Sequence, residues 1–435
     1  MRFLWTIVLL ITGASTFLPA AEPARVVIIT PHNEAIRQEF GRAFAAWHER
    51  EFNQPAIVEW REMGGTSASL RFVRSEFAQK PEGIGVDLFF GGGLEPFLFL
   101  ADQGFAEVYT PPPEILGTIP PQVAGVELYD PEQRWYGAAI SSFGILQNLR
   151  VQQLAGLPPA SRWEDLARPE LAGWVAAGDP RNSGTMNVMF ESFLQAYGWE
   201  RGWQLIHQIG GNIREFDRIS STTARSTALG QTAYAFAIDF YGFTQVAALG
   251  KTNLTFALPD DFTAINPDGI ALLKGAPNRV TAARFIDFTL DEPGQKLWFL
   301  PLGHAEGPQR NSIERMSVRP DFYERFAAES NIQFSPFNLR QSFIYDAALG
   351  RDRREVVATL VGALLVDPHD DLKKTWRSII AAGLPAQSLA ELGRMPITAD
   401  EALELARTGW QDAAERNRKR NEWQQWAGAK YRRLR

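Results

Sequence analysis

WYGAAISSFGILQNLR, Trp135 to Arg150, reads as one long extended stretch. A second, INPDGIALLKGAPN (Ile265–Asn278), reads as a long strand that ends in a turn. Between them lies a complete alternation of strands and helices. Leu171–Ala177 predicts a strand, Gly184–Tyr197 and Gly198–Ile209 helices, and Ile213–Phe216 a strand. Thr222–Leu229 then predicts a helix, and Ala233–Ile238 and Thr255–Leu258 strands. Two long strands that bracket a full α/β unit predict two lobes joined by two crossing strands. The bland alternative is a single sheet with a long insertion.

The region before the first crossing shows the same alternation. Val26–Ile29 is a β-branched strand. Glu34–Glu51 follows at helical spacing, with Ile36, Phe40, Phe44 and Trp47 on one face. Ile57–Trp60 predicts a strand, Ser67–Phe77 a helix, and Val86–Phe90 a third strand that ends in Gly91–Gly93. This order predicts a mostly parallel sheet with helices on both faces. Right-handed crossovers then place every strand-to-helix turn on one edge, where ligands bind. After about Arg340 the strand signals stop. Arg353–Val366, Asp371–Ala382 and Ala399–Gly428 read as helices, and Thr398 with Glu401 makes a capping box. The expected boundaries are a leader at 1–21, lobe one at 22–141 and 265–340, lobe two at 142–264, and a helical C-terminal extension at 341–435.

Composition narrows the setting. Arg2, the apolar run Phe3–Phe17 and the small residues around Ala20-Ala21 read as a secretory signal, too short for a membrane span. The chain has no Cys, so it has no lipid attachment site, disulfide or thiolate metal site. Its net charge of −6 argues against nucleic acid. Residues 416–435 hold eight Lys or Arg against Glu422 alone. That run reads as a solvated helix end, with an acidic partner or anionic lipid surface as the alternative.

The turns at the predicted strand ends carry the chemistry. They are TPHNE (30–34), MGGTSAS (63–69), GGG (91–93), DPRNSGT (179–185), DRISSTTARS (217–226) and AIDFYGF (237–243). Any one of them is explained by an ordinary helix cap. Turns from two lobes that face each other across a hinge would instead line a cleft with helix N-termini, which favour an anion.

The strings TPHNE, GGTSA, DPRNSGT, AIDFYGF and PDGIALLKGAPN, with the two crossings, resemble the ABC-transporter periplasmic substrate-binding proteins of the ferric-iron-binding type. The resemblance runs from roughly Arg25 to Asn311, and PLGHAEGPQRN (301–311) is similar to the segment that closes lobe one in such proteins. It implies an α/β, two-lobed Venus-flytrap fold of the second topological class. It also implies a monomer that captures a small solute in the periplasm for an ABC permease in the inner membrane. Iron-binding members offer two adjacent tyrosines, whereas Phe240-Tyr241-Gly242 has one. That departure points away from a metal and toward an anionic solute: an organophosphate, sugar phosphate or phosphonate.

On this reading Ser183, Gly184 and Thr185 hold phosphate oxygens, helped by Thr66, Ser67, Ser221 and Thr222 from other helix starts. Asn33, Gly65, Gly92 and Tyr241 complete the wall. Arg181 pairs with the anion, or else clamps Asp179. Asp239 serves a hydroxyl or ammonium, and His32 donates a hydrogen bond. No cofactor or catalytic group is expected, since neither G-x-S-x-G nor H-E-x-x-H occurs. An enzyme with convergent residues and a sensory module for a signalling partner are the rival classes.

The mature protein is expected to start near Glu22. N-terminal sequencing of the exported protein checks this, and an intact Met1 would refute it.

Overall fold

The computed structural model describes residues 22–332, 334–339, 343–410 and 412–435, so the expected leader lies outside the described residues. The chain opens with β1 (Ala24–Ile29), α1 (Glu34–Phe52), β2 (Ala56–Arg61), α2 (Thr66–Gln79), β3 (Leu88–Phe90) and α3 (Glu95–Asp102). A one-turn α4 (Pro113–Leu116) and a small hairpin, β4 (Gln122–Val123) with β5 (Val126–Glu127), lead to the long β6 (Tyr136–Asn148). Then come α5 (Leu149–Ala155), β7 (Val175–Gly178), α6 (Gly184–Tyr197), α7 (Trp199–Asn212) and β8 (Ile213–Asp217). α8 (Ser220–Ala228), β9 (Tyr234–Ile238), α9 (Asp239–Leu249), β10 (Leu254–Ala257) and β11 (Ile265–Leu272) follow.

Strand order is β2-β1-β3-β11-β6-β9-β7-β8, with β10 also on β6. β1 pairs in parallel with β2 and β3, and β7 in parallel with β8 and β9. β6 and β11 are the antiparallel exceptions. The first half of β6 pairs with β11, up to Ser142↔Ile265, and its second half pairs with β9, starting at Phe143↔Ile238. β11 runs on to pair Ile270 with Phe90 of β3. One strand therefore serves two sheets, and the change of partner falls between Ser142 and Phe143.

Each sheet has its own core. Val26–Ile29, Phe40, Phe44, Phe90, Phe285 and Trp298 belong to the first. Trp163, Phe193, Trp203 and Phe236 belong to the second. α10 (Arg279–Leu290), α11 (Glu292–Phe299) and the one-turn α12 (Phe322–Arg325) complete the first lobe. The C-terminal helices are α13 (Ala347–Val361), α14 (His369–Ala381), α15 (Ala386–Gly393), α16 (Ala399–Thr408) and α17 (Ala413–Arg433). They have no core of their own. Val356, Leu360, Trp376, Leu392, Trp423 and Tyr431 are buried in the second lobe's core.

Three local readings shift. The strand expected over Leu171–Ala177 starts only at Val175, because Pro169–Leu171 turns as a 3-10 helix and Gly173 has φ +84°. The helix expected over Ala399–Gly428 breaks after Thr408 and restarts at Asp412, whose side chain accepts from Ala414 N (2.8 Å). The Thr398–Glu401 capping box is present. The helix expected from Arg353 begins earlier, at Ala347, where Asp346 accepts from Leu349 N (2.9 Å).

The seam between α7 and α14 is tight. A Cβ on Gly211 would lie 2.4 Å from Trp376 Cγ, and Trp376 Nε1 donates to Asn212 Oδ1 (2.7 Å). Lys430, fully buried on α17, donates to His207 Nε2 (3.0 Å) and Leu392 O (2.7 Å). Gly211→Ala is expected to lose about 1–3 kcal/mol through overpacking. Gly428→Ala on α17, where a Cβ meets nothing closer than 3.4 Å, should lose nothing. Thermal unfolding of both variants checks the pair.

Candidate functional site

The strand-to-helix turns of both sheets open onto one cleft of about 450 Å³, within the range of about 300–1,000 Å³ usual for small-molecule sites. Helices α1, α2, α6, α8 and α9 all begin at its wall. Asn33 caps α1 by accepting from Ile36 N (3.1 Å), and Ser183 caps α6 by accepting from Met186 N (3.2 Å). α2 starts after Gly65 and α8 after Ile219, and neither start has a side-chain cap. Their first N–H groups therefore remain for a ligand, backed by the helix dipole. The hydroxyls of Thr66, Ser67, Thr185 and Ser221 share that wall with Gly184 and Tyr241. Burial raises the Tyr241 phenol above its usual pKa, and the charge of Arg315 and a hydrogen bond to Ser221 only partly offset this.

The floor is a buried network centred on Asp268 of β11. Its carboxylate accepts from Gly92 N (2.5 Å), Gly93 N (2.7 Å), His32 Nε2 (2.8 Å) and Arg315 Nη1 (2.5 Å). Burial alone would raise its pKa, but Arg315 and His32 hold it well below the carboxylate range. Arg315 also donates to Ser141 Oγ (2.7 Å) and lies over the rings of Phe240 (4.5 Å) and Trp298 (5.1 Å). Gly92 must be glycine: its φ is +107°, and a Cβ there would press on Thr66 at 2.9 Å.

Several expected roles change. The Gly92 N–H is taken by Asp268 and does not face a ligand. Burial, outweighing the charge of Asp268, lowers the His32 pKa and leaves the ring neutral at pH 7. Its one N–H then goes to Asp268, and Nδ1 is buried without a partner, so His32 has no donor left for a ligand. Arg181 lines the cleft but is clamped by Asp179 (2.7 Å) and Asp367 (3.0 Å). Asp239 lies off the cleft wall, fully buried, and accepts from Ser142 N (2.7 Å), Ser142 Oγ (3.0 Å) and Phe240 N (2.7 Å). It is a buried tie to the crossing strand. Thr222 also lies off the wall, with its N–H on Ile219 O (3.2 Å).

The sequence reading missed Asp268, Arg315, Arg354 and Arg71. Arg354 pairs with Glu95, so most cleft cations already face a protein carboxylate. Arg71, in the second turn of α2, is exposed and has no acidic partner among the described residues.

Two lobes crossed by β6 and β11, with a cleft at the strand ends, define the periplasmic-binding-protein fold of the second topological class. Solved structures agree. The periplasmic binding protein AfuA from Actinobacillus pleuropneumoniae, with exogenous fructose 6-phosphate bound, superposes with a TM-score of 0.58 at 19% identity. The match covers 83% of this chain and 99% of that one. The apo ferric ion-binding protein A of Pasteurella haemolytica gives 0.59 at 16%, covering 80% and 98%. Residues 85–300, about half of the chain, match the bacterial extracellular solute-binding protein family. Over that stretch the chain is similar to bacterial extracellular solute-binding proteins. Among curated proteins it is 29% identical over 191 residues to the phosphoglycerate transport regulatory protein PgtC of Salmonella typhimurium. That match covers 42% of this chain and 47% of PgtC, so the chain spans about half the length of that relative. An uncharacterized Haemophilus influenzae protein is 28% identical over 220 residues, 48% of this chain and 60% of its own. No helix among the described residues is long and apolar enough to cross a membrane.

Burial pushes the Asp239 carboxyl up to about 7, whereas an unfolded Asp titrates near 3.8. Between those values the native state binds more protons, so stability falls as pH rises through the window. Asp239→Asn is expected to flatten that fall, by at most about 4 kcal/mol. Urea unfolding on either side of the window checks it; an unchanged slope would contradict this account of Asp239.

Proposed function

We propose that the protein captures a small organophosphate, sugar phosphate or phosphonate between its lobes and delivers it to an ABC permease. It does so as a monomer in the periplasm and without chemistry on the solute. One observation carries the reading: the uncapped starts of α2 and α8 meet the cleft beside Arg71, which lacks an acidic partner among the described residues. A phosphate needs many donors and a compensating charge, and helix starts with hydroxyls supply both at low desolvation cost. A relative named for the regulation of phosphoglycerate transport and a structural neighbour with fructose 6-phosphate bound support the same chemistry.

Ferric iron suits this cleft less well, although iron-binding proteins share the fold. A ferric ion wants several anionic oxygens. Tyr241 is a single phenol held protonated by burial, and Asp268 is committed to Arg315. The name of the Salmonella relative, a transport regulatory protein, favours a second use of the same cleft: reporting the solute to a signalling partner.

Titration calorimetry with 3-phosphoglycerate and fructose 6-phosphate tests the reading. Each lost hydrogen bond to a charged group costs about 1.5–3 kcal/mol, so Arg71→Ala with Thr66→Ala is expected to weaken binding roughly a hundredfold or more. Unchanged affinity in a folded double variant, or a stoichiometric tyrosinate-to-iron absorption band with ferric citrate, would overturn it.

A further inference from the structure

Arg354 lies on α13, whose Val356, Val357, Leu360 and Val361 are buried in the second lobe's core. Its guanidinium nevertheless reaches the first lobe, where Nη1 pairs with Glu95 at the start of α3. Glu95 Oε1 also accepts from Tyr345 Oη (3.1 Å). A second ion pair joins the same two helices, Arg351 to Asp102 (2.5 Å). The arginines are three residues apart on α13 and the acids seven apart on α3, so each set shares one helix face.

The other terminal nitrogen of Arg354 is unspent. Nη2 has no acceptor among the described residues. It stands at the first turn of α6, 3.0 Å from where a Cβ on Gly184 would be, and that same point is 4.0 Å from Thr66 Oγ1. Asn187 Nδ2 of α6 donates to Arg354 O (3.1 Å) and fixes the backbone beside it. A cation at a helix N-terminus is opposed by the dipole unless an anion lies between them.

We propose that Arg354 is a specificity-determining residue whose Nη2 completes an anion seat between the starts of α2 and α6, with Glu95 as the positioning residue that aims it. The inference rests on the organophosphate reading. The C-terminal helices are then part of the solute site. The seat is complete only when the lobes are closed, because Arg354 and Glu95 belong to different lobes.

Calorimetry on the full chain with 3-phosphoglycerate and fructose 6-phosphate tests it. Arg354→Ala is expected to weaken binding roughly ten- to hundredfold, with Arg354→Lys recovering part of the loss. Glu95→Gln should weaken it less, and Arg351→Ala should bind as the wild type does, because it breaks the other ion pair without touching the seat. Wild-type affinity in a folded Arg354→Ala protein would overturn the inference while leaving the organophosphate reading standing. So would an Arg351→Ala loss as large as that of Arg354→Ala, because the pairs would then be acting only as a latch between lobes. If the wild-type protein binds neither probe, both proposals fail.

Discussion

The carboxylate of Asp268 is the contact around which the floor of the cleft is organised. It sits on a crossing strand and takes donors from the glycine turn after β3, from His32 after β1, and from Arg315. A buried ion pair is held only while every remaining polar group around it is also satisfied. Four donors satisfy the carboxylate, although His32 Nδ1 and Arg315 Nε are left without partners, and they fix three loops of lobe one against β11. The same contact removes Gly92, His32 and Arg315 from the pool of groups that could grip an anion. The floor of the cleft is therefore close to neutral, and on the proposed function recognition falls to the helix starts and Arg71 on its walls.

The alternating strands and helices, and the two crossings between them, were legible because period-two and period-3.6 patterns are local. The polar turns were legible as turns, but their chemistry was not. Asn33 and Ser183 act as caps while Gly65 leaves a helix start bare, and nothing in the strings TPHNE, DPRNSGT or GGTSA separates those outcomes. Asp268 and Arg315 escaped notice because their partners are distant in sequence: Asp268 meets His32 across 236 residues. Arg181 shows the opposite failure. Its short-range partner Asp179 was visible in the sequence, but Asp367, which completes the clamp, lies 186 residues away. The C-terminal helices were visible as helices. Their burial in lobe two was not, because amphipathic patterning shows that a face is apolar without showing what covers it.

Counterions already built into the fold shape the cleft's electrostatics. Arg181, Arg315 and Arg354 each face an acid on the protein, so the uncompensated charge is small and local. In a water-poor cleft this limits the desolvation cost of keeping it ready for a solute. On the proposed function it also disfavours a bare cation, which would meet Arg71 and helix N-termini instead of free carboxylates.

The interleaving of the two cores bears on the order in which a growing chain can fold. Lobe one is split between residues before 141 and residues after 264, and lobe two draws on residues up to Tyr431. A ribosome delivers the chain from its N-terminus, so neither core is whole when its first half emerges. Lobe two lacks Trp376, Trp423 and Tyr431 until those residues have been made. Such a chain stays uncommitted through most of its synthesis, the condition in which a polypeptide can still be threaded through a narrow translocation pore.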